Sequence, residues 1–142
     1  MLQRVARAEV RVAGESVARC GTGLLLLVGV GAEDDGVEIS ALAAKIAGLR
    51  VFEDDSGKMN LSLQDVPGVV LVVPNFTLYG DVRKGRRPSW AGAASPESAE
   101  ERVETLCRAL EDQGATVHRG VFGAHMEVEL VNDGPVTLVL EA

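Results

Sequence analysis

Gly23-Leu24-Leu25-Leu26-Leu27-Val28-Gly29-Val30 is the stretch from which the rest of the chain can be placed. Leu24 to Val30 is an apolar run of strand length, bounded by Gly21 and Gly23 before it and Gly31 after it, without the alternation of a strand that shows one face to water. It is expected near the centre of a sheet, covered on both sides. Upstream, Gln3 to Ala13 is β-branched and partly alternating, and Gly14-Glu15 supplies a turn, which gives a first strand. Downstream, Ile39, Leu42, Ala43, Ile46 and Leu49 follow the spacing of one helical face, predicting an amphipathic helix from Val37 to Leu49.

Arg50 to Phe52 and Val69 to Val73 read as further strands around the polar loop Glu53 to Asn60. A second helix starts at Ser95, a capping residue, with Pro96 at its first position and Glu97 near the positive end of the dipole, and it stops at Gly114. Val103, Leu106, Cys107 and Leu110 form its buried face, which makes Cys107 a core residue. Ala115 to His118 is a short strand. Met126, Val128 and Leu130 alternate with Glu127 and Glu129 in another, and Val136 to Leu140 is the last. The expectation is a single α+β domain over 1–142, with about seven strands in a mainly antiparallel sheet or barrel-like arrangement and two main helices.

Composition agrees with one folded unit: 142 residues, 46% hydrophobic and 25% charged, enough for one buried core. Fourteen Lys and Arg against 21 Asp and Glu give a net charge of −7, which excludes a general nucleic-acid coat and leaves room for a local basic cluster. The longest apolar stretch, Gly23 to Ala32, is about half of the ~20 residues a bilayer span needs. With no apolar signal core at the start, the expected location is cytoplasmic, with no membrane partner. Cys20 and Cys107 lie far apart without a C-x-x-C pair, and His118 and His125 are the remaining soft ligands, so no metal site is expected.

The usual catalytic signatures are absent. The glycines at 21, 23, 29 and 31 lack dinucleotide-loop spacing, no G-x-S-x-G occurs, and Asp34-Asp35 and Asp54-Asp55 lie in turn-like contexts that read as solvated loops. Two segments stand out. Pro74-Asn75-Phe76-Thr77-Leu78-Tyr79-Gly80 follows a strand with a residue that lacks an N–H, so the chain leaves the sheet there and its amides can face a ligand. Next comes Arg83-Lys84-Gly85-Arg86-Arg87-Pro88-Ser89-Trp90, which reads either as a solvated loop or as a loop contacting phosphate or RNA. Asn132-Asp133-Gly134-Pro135-Val136-Thr137 likewise reads either as a hairpin turn or as a rigid Gly-Pro step that aims carbonyls in a fixed direction.

Together with Gln3-Arg4-Val5, Gly57-Lys58-Met59-Asn60-Leu61, Arg87-Pro88-Ser89, Ala94-Ser95-Pro96 and Phe122-Gly123 with Met126, these segments run in one order along essentially the whole chain. In that order the sequence resembles the bacterial D-aminoacyl-tRNA deacylases, also called D-tyrosyl-tRNA deacylases. The resemblance implies a homodimer that hydrolyses the ester joining a D-amino acid, or glycine, to the 3′ end of tRNA, without cofactor or metal. It implies that Gly134 and Pro135, with a cis bond, act as a chiral selector in the partner subunit's site. Phe76 and Thr77, through backbone and hydroxyl, form the catalytic strip with Asn75, and the 2′-hydroxyl of the terminal adenosine assists. Phe122, Gly123 and Met126 line the pocket for the terminal adenine, and Arg86 and Arg87 contact the tRNA backbone. For Phe122 and Met126 ordinary core packing is the competing assignment, and His118 and His125 fit a general base on pattern alone.

One departure is visible. The family's strip begins Ser-Gln before Phe-Thr, whereas Pro74-Asn75 stands here, removing a hydroxyl and one N–H. Thr77 remains as a polar contact or a nucleophile. Two other classes fit part of the pattern: a noncatalytic protein of this fold that binds RNA 3′ ends, and an esterase for small activated esters.

Overall fold

The computed structural model describes residues 1–34, 36 and 38–141. The strands are β1 (Leu2–Val12), β2 (Glu15–Cys20), β3 (Gly23–Val28), β4 (Phe52–Glu53), β5 (Met59–Leu61), β6 (Val69–Pro74), β7 (Thr116–Arg119) and β8 (Met126–Leu138). Two helices, α1 (Ile39–Gly48) and α2 (Pro96–Asp112), and a 3-10 turn at Phe76–Tyr79 complete the chain. The α+β architecture is the one expected, with mainly antiparallel pairing and two helices. Val37, where the first helix was expected to begin, lies outside the described residues, as do Asp35 and Ala142.

Three differences from the sequence reading have physical causes. β2 was not expected, because Glu15 to Cys20 is polar and mostly exposed; it forms by pairing with residues 8–12 of β1. β5 is likewise defined only by its pairing with β4. The two strands expected at 126–130 and 136–140 form the single strand β8, with the Gly134-Pro135 step inside it. Among the described residues β8 pairs only with β1, so the proline interrupts no second ladder.

β1 organises the sheet. β8 lies along one edge, while β2 and β3 follow one another along the other, opposite residues 8–12 and 2–5 respectively. β3 then pairs in parallel with β6, and β6 with β7. The sheet curls until β7 meets β2, where His118 Nδ1 lies 2.6 Å from the Arg19 carbonyl oxygen. The central strand buries both faces, as its apolar run requires. Leu24 and Leu26 join Leu2, Val70 and Val72 beneath Ile46 of α1 and Val103, Leu106, Cys107 and Leu110 of α2. Leu25 meets Val5, Ala8, Val10, Cys20, Leu71 and Val73 inside the curl, flanked by Met126, Val128 and Leu130.

α2 begins as its sequence dictates: the Ser95 hydroxyl accepts a hydrogen bond from the Ser98 N–H at 3.4 Å, and Pro96 occupies the first turn. Among the described residues, no helix is long and apolar enough to cross a membrane. The tightest backbone approach is at Gly23, where a Cβ would lie 2.0 Å from the Val69 carbonyl oxygen. We predict that Gly23→Ala, which forces β3 and β6 apart at the middle of the sheet, costs about 2 kcal/mol or more in urea unfolding; an unchanged midpoint would contradict the packing described.

Candidate active site

The parallel strands β3 and β6 run together until Val28 and Pro74 stand opposite one another. One residue later the Asn75 N–H still donates to the Val28 carbonyl at 2.7 Å, and then the chain turns out of the sheet. Asn75 caps the 3-10 turn that follows. Its Oδ1 accepts from the Thr77 N–H at 3.2 Å and from the Thr77 hydroxyl at 2.5 Å. Both Thr77 donors are therefore committed, while the Phe76 N–H has no acceptor among the described residues. Pro74, with no N–H of its own, adds no competing donor. The strip presents one free backbone amide, the Asn75 carboxamide nitrogen, a threonine oxygen with open lone pairs, and an exposed Phe76 ring.

Neighbouring side chains fix the far end of the strip. Asp34 accepts from the Gly31 N–H at 2.7 Å and from the Tyr79 hydroxyl at 3.4 Å. Burial, followed by the Asp34 charge, pushes the Tyr79 phenol up. Asp81 and Ser89 exchange backbone hydrogen bonds at 2.8 and 2.9 Å, closing the basic loop into a hairpin joined to the strip. Arg83 is held to Asp81, Nη2 to Oδ2 at 2.7 Å, and its hydrogen bonds bring the Asp81 carboxyl down to about 2. Lys84, Arg86 and Arg87 are exposed and form no ion pair among the described residues.

Two hollows border the strip. A cavity of about 220 Å³ lies between the ends of β6 and β7 and α2, lined by Pro74, Glu100, Glu104, Arg119, Gly120 and Phe122 among others. Arg119 is tied to Glu104 at 3.1 Å and to Glu111 at 2.9 Å, and burial pushes the Cys107 thiol in the same wall up to about 11. A groove of about 800 Å³ on the other side runs past Val28, Ile39, Leu42, Leu78, Tyr79 and Leu140.

The structure brings Phe122 to the smaller cavity but leaves Gly123 and Met126 out of its lining; Met126 packs against the core inside the curl. His118 serves the closure between β7 and β2, and His125 is exposed ahead of β8. Asp54, like Asp34, is a turn carboxylate, accepting from Ser56 and from the Lys58 N–H. No group of three His, Cys, Asp or Glu side chains among the described residues is placed to hold a metal.

Gly134 and Pro135 sit on an exposed bulge of β8. Between the pairs Val5–Asn132 and Gln3–Thr137, Arg4 alone faces residues 133–136. The peptide bond is cis and Gly134 has φ +125°. Arg4, only 4% exposed, fills the bulge from below. Its Nε donates to the Asp133 carbonyl at 3.2 Å and its Nη1 to the Val51 carbonyl at 2.7 Å, and the guanidinium pairs with Asp133 at 3.1 Å and Glu53 at 3.6 Å. Asn132 Nδ2 bridges the carbonyls of Arg4 and Val136, each at 2.9 Å. Neither hollow beside the strip is lined by Gly134 or Pro135. Sequence reasoning missed Arg4 and Asn132 as supports. The available signal was an arginine at an inward position of a strand, which is rarely buried without partners.

Residues 1–141 match the family model for D-Tyr-tRNA(Tyr) deacylase. The chain is 55% identical over 142 residues to the D-aminoacyl-tRNA deacylase of Desulfatibacillum aliphaticivorans, covering 100% of this chain and 97% of that protein. It is 56% identical to that of Thermomicrobium roseum, covering 100% and 92%. Among solved structures, the c-Myc DNA unwinding element binding protein superimposes with a TM-score of 0.91 at 39% identity, over 99% of this chain and 96% of that one. A probable eukaryotic D-amino acid tRNA deacylase shares the fold, with a TM-score of 0.80 at 17% identity over 94% and 93%.

Arg4→Met leaves the Val51 and Asp133 carbonyls without their donor. It is expected to lower stability by about 2 kcal/mol and to speed amide hydrogen exchange at 132–136; protection equal to that of the unchanged protein would contradict the support role. Because the Asp81 carboxyl is lowered by folding, its pairing with Arg83 is complete above the ordinary carboxylate range and is lost as pH falls toward about 2. A carboxylate NMR titration should find its midpoint there, and Arg83→Ala should move that midpoint up toward 3.8.

Proposed function

The chain belongs to the D-Tyr-tRNA(Tyr) deacylase family, and from that premise we propose that its strip hydrolyses the ester of D-aminoacyl-tRNA and of glycyl-tRNA as a proofreading step in translation. The observation that carries the reading is the Phe76 N–H, without an acceptor among the described residues, on a turn whose neighbouring Thr77 donors both go to Asn75 Oδ1. An aminoacyl ester is already activated. A single fixed donor at its developing oxyanion, contributing on the order of 3 kcal/mol, with an ordered water as nucleophile, is adequate without a triad.

Hydrolysis then proceeds in two steps. Water adds to the ester carbonyl while the Phe76 N–H holds the oxyanion; the tetrahedral adduct collapses, the 3′ oxygen leaves with a proton, and the free amino acid departs. The Thr77 hydroxyl already donates its hydrogen bond to an amide oxygen, a base too weak to activate it. That disfavours a nucleophilic role and supports an acceptor role toward the ribose 2′-hydroxyl, which assists the chemistry. Asn75 keeps the strip in shape. The departure at 74–75 therefore leaves the turn capped and the Phe76 amide free. The terminal adenine goes to the cavity behind Pro74 against Phe122, with Met126 reaching its Gly120 wall from the core and Gly123 following Phe122 in the chain, and Arg86 and Arg87 contact tRNA phosphates.

Selection is assigned to Gly134 and Pro135 of a second subunit in a homodimer. Their exposure on a bulge pinned by Arg4 and Asn132, away from the chain's own strip, supports a reach across an interface. Carbonyls held there would occupy the volume an L side chain needs, so rejection would be independent of amino-acid identity. Such a substrate places the enzyme in the cytoplasm.

The deciding experiment is single-turnover hydrolysis of matched D-, L- and glycyl-tRNA with a chelator present. The expected result is release of the D and glycyl esters, with the L ester slower by at least about a hundredfold. Tight tRNA binding without release would instead make the protein a noncatalytic RNA-end binder. Gly134→Ala sets a Cβ 2.9 Å from Val136 Cγ2 and 3.0 Å from Arg4 Nη2, and should erode the D/L ratio; an unchanged ratio removes the selector assignment. Neutralising Arg86 and Arg87 together should flatten the salt dependence of tRNA binding by about two logarithmic units of slope.

A further inference from the structure

Trp90, the only tryptophan in the chain, remains 41% exposed. Its ring lies edge-to-face with Phe76, centroids 5.4 Å apart and planes at 76°. That arrangement leaves at least one face of each ring uncovered by the other. The six-membered ring of Trp90 rests against Gly80, where a Cβ would come within 2.6 Å of Cζ3, so strip and indole are packed as one piece. Immediately beside Trp90, the Asp81–Ser89 bridge closes the hairpin that carries Lys84, Arg86 and Arg87. On a chain of net charge −7, this is an island of positive charge, without an ion pair among the described residues, next to two exposed aromatic rings.

We propose that Trp90 is a stacking platform for an unpaired base of the RNA strand, the nucleotide that precedes the terminal adenosine. The proposal rests on the tRNA reading above and adds a contact to it. Aromatic faces beside cationic loops suit single-stranded nucleic acid, because every base has a π face and every linkage a negative charge. A strand whose terminal ester lies at Phe76 and whose phosphates run along the basic hairpin must pass Trp90, which sits between the two. The platform holds the last unpaired nucleotides in line with the free amide, so that the ester is aligned by its own strand.

The test uses the intrinsic fluorescence of Trp90 and two substrates. A short single-stranded RNA ending in cytidine-cytidine-adenosine should quench Trp90 emission saturably, and the same oligonucleotide with abasic sugars at both cytidines should bind about tenfold more weakly. In kinetics, Trp90→Leu should raise KM for D-aminoacyl-tRNA about tenfold more than KM for a D-aminoacyl-adenosine, which has no preceding base, and Trp90→Phe should recover most of the difference. Equal effects on the two substrates would mean that Trp90 acts only by packing on Phe76, and would overturn the platform. Emission that changes with protein concentration and not with RNA would assign the patch to a second copy of the chain, again overturning it. Failure of the unchanged protein to hydrolyse either substrate would count against the deacylase reading itself, whereas quenching by the oligonucleotide is read separately from turnover.

Discussion

The parallel pairing of β3 with β6 is the interaction on which the molecule depends. It brings Leu24, Leu26, Val70 and Val72 to one core and Leu25, Leu71 and Val73 to the other, so one pair of strands supports both layers. Such a pair tolerates no spacing error, which is why Gly23 lies against the Val69 backbone. The same pairing sets the site. It ends with the Asn75 N–H on the Val28 carbonyl, and that last bond decides where the strip leaves the sheet.

The strip and the Gly134-Pro135 bulge are made rigid by different means. The strip is held by short-range hydrogen bonds, the Asn75 cap at its head and the Asp34 carboxylate at its foot, with Trp90 packed against it. The Gly134-Pro135 bulge is held from beneath by a long-range device, a buried guanidinium that satisfies carbonyls from two distant segments. A buried arginine is costly unless each donor finds an acceptor, and removing the arginine leaves those acceptors orphaned. Rigidity in both segments is what the proposed selection by excluded volume requires, since soft walls would admit the wrong enantiomer.

Much of this was legible in the sequence because the signals were local. The apolar run at 24–30 predicted a central strand, and Ser95-Pro96 marked the start of α2. What could not be read was created by tertiary pairing. Glu15 to Cys20 becomes a strand only because β1 offers an edge, and residues 126–138 become one strand because β8, an edge strand, can carry a proline and a bulge. At the site, the basic loop and the Phe76-Thr77 strip were visible as motifs, but the division of labour within the strip was not. That Asn75 occupies both Thr77 donors and leaves the Phe76 amide free depends on backbone angles that no residue pattern states. Arg4 was hidden for a similar reason: its burial follows from the four-residue bulge opposite it.

The central claim is that a backbone amide, and no side chain, carries the developing negative charge. Replacing the peptide N–H of Phe76 by an ester oxygen, through semisynthesis, removes that donor while leaving every side chain in place. The account predicts a fall of about 10²- to 10³-fold in the single-turnover rate on D-aminoacyl-tRNA, with tRNA affinity retained. An undiminished rate in the correctly folded ester-linked protein would contradict it.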